Sequence, residues 1–138
     1  MKQKYIDIGI EIILLGVVEL LAITVLNGEY LFGWAAHNWS YYLILSAIPI
    51  LLTLFNKTKA GIIIATGITG GIFVGNYLGN YIKEANTRKI IEGMTGEELH
   101  RISQHPGFVI WMIILIVSLL IGSVVQMIIT KGRRKVFR

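Results

Sequence analysis

The sequence predicts an all-α, polytopic integral membrane protein with four transmembrane helices and both termini in the cytoplasm. Hydrophobic residues make up 54% of the 138-residue chain and charged residues only 15%, whereas charged residues make up about 25% of ordinary globular domains. The apolar residues are collected in long runs, and the basic residues stand at the ends of those runs. We therefore expect one four-helix domain covering residues 1–138, located as a multi-pass protein in the cell membrane.

Three of the predicted spans are long stretches without Asp, Glu, Lys or Arg, and each is long enough to cross about 30 Å of hydrocarbon as a helix. The first span is also strongly apolar, but it carries Glu11 and Glu19. Because Glu11 lies nearer the cytoplasmic end, we expect it to reach lipid headgroups or the basic tail. The four predicted spans are residues 6–26, 38–56, 60–82 and 106–130, and residues 27–37 form an outer loop between the first two.

The basic residues predict the orientation. The N-terminus, the NKTK turn at 56–59 and the tail at 131–138 bring most of the Lys and Arg to one side. The polar loop at 83–105 carries fewer of them and adds several glutamates. Since Lys and Arg are enriched on the cytoplasmic side of membranes, both termini are predicted to be cytoplasmic. The tail is expected to contact anionic lipid headgroups rather than nucleic acid.

Glycines recur at every fourth position in the third span, within GITGGIFVGNYLGN at 67–80. Residues four apart drift by only about 40° around a helix, so these glycines share one face, a glycine zipper on which another backbone can pack closely. Ser118 and Gly122 in the fourth span repeat the spacing and predict the facing surface. Packing within the bundle, a homo-oligomer contact and a pore lining all remain open. The glycines are Gly67, Gly71, Gly75 and Gly79.

Glu19 lies about 20 Å along the first span, where an ionised carboxylate in hydrocarbon costs a few kcal/mol. Asn76, Asn80 and Gln126 lie in other spans and can donate hydrogen bonds to it. Ionisable residues inside a membrane are functional candidates, so we predict that these four residues line a polar path. The alternative is that Glu19 only holds helices together by hydrogen bonding.

The loop at 83–105 forms either two short helical pieces broken at GMTG or a simple continuation of the third span out of the membrane as a helix. Thr95 and Glu98 have the spacing of a capping box that starts the later piece. His100, His105 and Glu97 are candidate ligands for a metal ion. The five-residue spacing of the histidines does not align them on a helix, so a solvated polar helix is the competing interpretation.

The function classes that remain are few. The absence of cysteine excludes disulfides and thiolate sites, and no phosphate-binding loop or nucleophile motif is present. We expect no cofactor and no nucleic-acid partner. The leading hypothesis is a small bacterial transport or channel-type protein that moves or gates a small solute or ion, as an oligomer. The alternatives are a non-transport interaction protein (an accessory subunit, assembly factor or immunity protein that binds a partner membrane protein) and, third, an enzyme that acts on a lipid-linked substrate through the histidine loop.

Overall fold

The computed structural model describes the backbone of residues 2–136 and the side chains of residues 3–132. Helices make up about 85% of the described residues, and residues 2–136 contain no strand. The all-α prediction is therefore confirmed. The helices are α1 (Lys2–Thr24), α2 (Tyr30–His37), α3 (Trp39–Leu54), α4 (Thr58–Thr87), α5 (Gly96–Ser103) and α6 (Gly107–Val136).

Helix α4 is the central element, because it packs against α1, α3 and α6 and most extensively against α6. The N-terminus of α1 lies beside the turn between α3 and α4, where the Lys4 ammonium donates to the Leu54 carbonyl and to Asn56. We call this the inner end of the bundle, and the opposite end, where α2 meets the start of α6, the outer end. The core between the helices is formed by Leu15, Val18, Ala22, Ile64, Ile68, Ile72, Trp111 and Leu115.

Two helices are long and apolar enough to cross a membrane, Thr58–Thr87 and the Gly107–Gly132 part of α6. They contain the predicted third span and all of the predicted fourth span except its first residue, Pro106. Helix α3 has 16 residues, and α1 has 23 residues that include three acidic side chains. The first two spans and the orientation therefore stay predictions.

The prediction of a loop at 27–37 is wrong for most of its length, because Tyr30–His37 form the helix α2. Leu31, Phe32 and Ala35 of this helix are completely buried. A short helix is only marginally stable in isolation. Packing this apolar stripe against the bundle therefore stabilises α2. Phe32 meets the ring of Phe73 edge-on, with ring centroids 5.0 Å apart.

The polar loop at 83–105 combines the two interpretations, with the outward continuation of the third span and a separate short helix after the GMTG break. Helix α4 continues outward to Thr87, and a turn with Gly93 at φ +98° leads to the exposed helix α5. The capping box is confirmed, because the Glu98 backbone N–H donates to Thr95 Oγ1 and the Thr95 N–H donates to the Glu98 carboxylate. The Thr95 backbone N–H and the Thr95 hydroxyl both donate to the Glu98 carboxylate, and these two bonds to the ionised form lower the pKa of Glu98.

Candidate functional site

Glu11 is the most deeply buried acidic residue among the described side chains, with no exposed surface. It lies on the stripe of α1 that continues through Leu15, Val18 and Ala22, all facing the core. Thr53 of α3 donates a hydrogen bond of 2.6 Å to Glu11 Oε1. The other carboxyl oxygen, Oε2, is buried and has no hydrogen-bond partner among the described residues. The prediction that Glu11 reaches headgroups is wrong, because this face of the helix points into the bundle. The predicted contact with the basic tail falls largely on residues outside the described side chains.

Gly61 of α4 makes the space that the Glu11 carboxyl group occupies. A Cβ atom at Gly61 would lie 2.7 Å from the Pro49 carbonyl oxygen, and it would overlap Glu11 Oε1 and Thr53 Oγ1. The carboxyl group is thus enclosed by α1, α3 and α4. None of the hydrogen bonds or salt bridges among residues 3–132 joins Glu11 to a basic side chain.

Glu19 lies two turns further along α1, about 12 Å from Glu11 at 1.5 Å per residue. Its Oε2 atom is buried without a hydrogen-bond partner in the described part of the chain, and so is the Ser46 hydroxyl of α3. Nearby, the Tyr42 hydroxyl donates to the Leu15 carbonyl at 2.9 Å. Acidic groups therefore occur at two levels of the core face of α1.

The structure does not bring Asn76 and Asn80 to Glu19. Both amides donate instead to Glu29 Oε2, at 2.6 Å from Asn76 and 2.9 Å from Asn80. Asn76 is fully buried, and its carbonyl oxygen accepts the backbone N–H of Leu31 in the first turn of α2. These bonds attach the start of α2 to the outer half of α4, and they satisfy polar groups that would otherwise be costly to bury.

His105 extends this outer network to the start of α6. Its Nε2 atom lies 2.8 Å from Asn80 Oδ1, and its Nδ1 accepts the backbone N–H of Gly107 at 3.0 Å. The ring is therefore neutral with the proton on Nε2, and it stacks on Tyr30 at a centroid distance of 3.9 Å. Burial lowers the pKa of His105, and the Lys83 charge lowers it further, while Glu29 opposes the shift.

A pH dependence of stability follows from this geometry. The folded chain binds a proton at His105 less readily than the unfolded chain, whose histidines titrate near pH 6.5. The stability contributed by His105 is therefore present above about pH 6.5 and is lost as the pH falls through the lowered folded-state pKa. Thermal unfolding in detergent should show this loss for the wild type and a flatter profile for H105Q. H100Q, at an exposed position on α5, should keep the wild-type slope, and an equal flattening in H100Q would contradict the assignment.

The glycine face of α4 lies against α6 of the same chain. A Cβ at Gly75 would stand 2.6 Å from the Gly107 carbonyl oxygen, and one at Gly71 would stand 2.7 Å from the Trp111 ring. Gly67 meets the Ser118 side chain, and the other contacts along this seam are those of Gly79 with Gly107 and Gly122 with Ala60. The Trp111 indole N–H also donates to the Ile68 carbonyl at 3.2 Å.

Gln126 and the predicted metal ligands lie apart from the Glu11 and Glu19 carboxyl groups. Gln126 stands at the inner end, between two cavities, and its Oε1 has no hydrogen-bond partner among the described residues. Glu97 and His100 are exposed on α5, whereas His105 belongs to the outer network. In the part of the chain that the structure describes, no three His, Asp or Glu side chains converge as metal ligands would.

Sequence reasoning missed the roles of Glu11 and Glu29. The signal for Glu11 was its spacing from Leu15, Val18 and Ala22, which marks the core-facing stripe of a helix. Glu29 carries no local signal, because its partners lie 47 and 51 residues further along the chain.

Comparison of the chain with protein-family models, with curated proteins and with solved structures gives no match. The functional argument therefore depends on the geometry of the chain itself.

Proposed function

We propose that the chain is a four-span membrane protein with cytoplasmic termini that moves or gates a small cation, with protons as the leading candidate. The observation that carries the proposal is the Glu11 carboxyl group, which is fully buried and bonded on one oxygen only. In a bilayer, an ionised carboxylate without a cationic partner is costly. A bound proton or small cation removes that cost, which makes Glu11 a site of exchange.

The surroundings of Glu11 support this role. At the inner end, a cavity of about 520 Å³ is lined by Asp7, Lys4 and Gln126, and Asp7 lies one helical turn before Glu11. Beyond Glu11 come Glu19 and then the outer network around Glu29. Acidic groups thus occur at intervals from the inner cavity to the outer end, an arrangement typical of proton relays in membranes.

Flux through the purified protein tests the proposal. Vesicles that contain the protein and a pH-sensitive dye, energised by a potassium diffusion potential, should acidify or alkalinise faster than protein-free vesicles. Parallel measurements of Na⁺ uptake and of K⁺ uptake show which of the three cations the protein moves. Rates equal to those of protein-free vesicles for all three ions, with the helical content of the reconstituted protein intact, would overturn the proposal.

The alternative, a non-transport interaction protein, needs a surface other than the glycine face, because α6 covers that face. In the described part of the chain, a Cβ added at Gly9 or Gly16 on α1 or at Gly70 on α4 meets no atom within 4 Å beyond its own helix backbone. These open positions offer a surface to a homo-oligomer contact or a partner helix. Co-purification of a stoichiometric membrane partner, together with absent flux, would favour this alternative.

A further inference from the structure

We propose that the groove between α3, α4 and α6 at the inner end binds one anionic phospholipid. The inference depends on the proposed membrane location of the chain and not on its proposed ion movement. The groove has a volume of about 630 Å³. Its chemistry changes along its length, with aliphatic side chains deep in the groove and two lysines at its inner mouth.

The deep part of the groove suits an acyl chain. Its walls are formed by apolar side chains from three helices, and the wall on α6 runs from Leu119 to Lys131. That distance is about 18 Å at 1.5 Å per residue, close to the hydrocarbon thickness of one leaflet, about 15 Å. The apolar lining residues are Ile48, Leu52, Ile64, Leu119 and Met127.

The mouth of the groove suits a phosphate group. Lys57, from the turn between α3 and α4, and Lys131, near the end of α6, both line it together with the polar side chains of Gln126 and Thr130. Among the described side chains, the salt bridge present is Arg88 with Glu84 at the other end of the molecule, so neither lysine is paired with a carboxylate. Among the side chains of residues 3–132, no acidic one lines this groove, and Asp7 belongs to the adjoining cavity.

The positive charge at the mouth of the groove favours an anionic lipid as its occupant. Basic pockets between membrane helices on the cytoplasmic side bind anionic headgroups, and the inner end carries the basic residues that predict a cytoplasmic location. A second copy of the chain would place its own lysines beside these two and be repelled, and a zwitterionic lipid would bring a choline cation beside its phosphate and leave the net positive charge of the mouth uncompensated.

Native mass spectrometry of the detergent-purified full chain tests the proposal with phosphatidylglycerol and phosphatidylcholine as probes. The wild type should retain one phosphatidylglycerol in preference to phosphatidylcholine. The double variant K57A/K131A should bind phosphatidylglycerol about thirty-fold more weakly, from the usual contribution of two lysines near a lipid charge. The matched variant K83A/K89A, which removes two lysines from the outer end, should bind like the wild type.

A second variant separates the groove from its charges. S123W leaves both lysines in place and fills the groove that Ser123 lines, so it should also lose the retained lipid. Equal binding of the two lipids, an unchanged affinity in K57A/K131A, an unchanged affinity in S123W, or a dimer in place of a lipid adduct would each overturn the proposal. Because this experiment measures lipid binding in detergent, its result tests the lipid proposal independently of the proposed ion flux.

Discussion

Replacing Glu11 by glutamine is expected to reduce cation flux by about 10²-fold, the lower end of what a positioned proton-transferring group contributes. Glutamine has the size of glutamate, and its carbonyl oxygen can still accept the Thr53 hydroxyl that bonds Oε1 in the wild type. The fold should therefore survive, while the group that exchanges a proton or binds a cation is lost. Flux into dye-loaded vesicles, normalised to the amount of folded protein, measures the effect.

Two further variants sharpen this experiment. E92Q removes an exposed carboxylate from the outer turn and should leave flux unchanged. E19Q tests the second acidic level of α1, and a path through both levels predicts that flux falls here as well. Wild-type flux in folded E11Q would show that Glu11 only joins α1 to α3.

Replacing Gly75 by alanine is expected to destabilise the bundle by about 1–3 kcal/mol, the usual cost of overpacking a filled interior. The added methyl group would lie 2.6 Å from the Gly107 carbonyl oxygen and 2.8 Å from Leu31. The first of these atoms belongs to the backbone, so α4 and α6 would have to separate. The free energy of unfolding in mixed micelles measures the loss.

Gly70 provides the matched control, since it lies on the same helix and an added Cβ there meets no atom of the described residues within 4 Å beyond its own helix backbone. G70A should gain about 0.5–1 kcal/mol, because alanine is the better residue in a helix interior. Equal stability changes in G70A and G75A would show that helix propensity, and not the close approach of α6, governs this face.

The regular features of the chain were predictable, and those that depend on distant contacts were not. Four-residue spacing identified the face of α4 that carries Gly67 to Gly79, because periodicity along a helix is a local property. The helix α2 was missed because it is a short segment between two predicted spans, and its stability comes from burying Leu31 and Phe32 against the bundle.

The candidate site was predicted less well, for two physical reasons. Depth along the first span favours Glu19 over Glu11 as the functional carboxylate, but burial depends on the position of a residue around the helix as well as on its depth. Asn76 and Asn80 were recognised as polar groups needing partners, yet their acceptor is Glu29. Tertiary packing determines which of several acceptors in other segments these amides meet, and the local sequence does not encode that packing.

Single-cysteine labelling in intact cells tests most directly the claim that this chain crosses the membrane four times with Glu11 inside it. The chain has no cysteine, so each introduced thiol reports one position. A membrane-impermeant maleimide should label cysteines placed at Asn27 and Thr95, on the outer side. It should label cysteines at the inner positions only after the cells are opened, and these positions are Gln3, Lys59 and Gly132. Labelling of the Gln3 and Asn27 positions, or of the Thr95 and Gly132 positions, from the same side would contradict the account, and so would labelling of all five positions in a detergent-free soluble fraction.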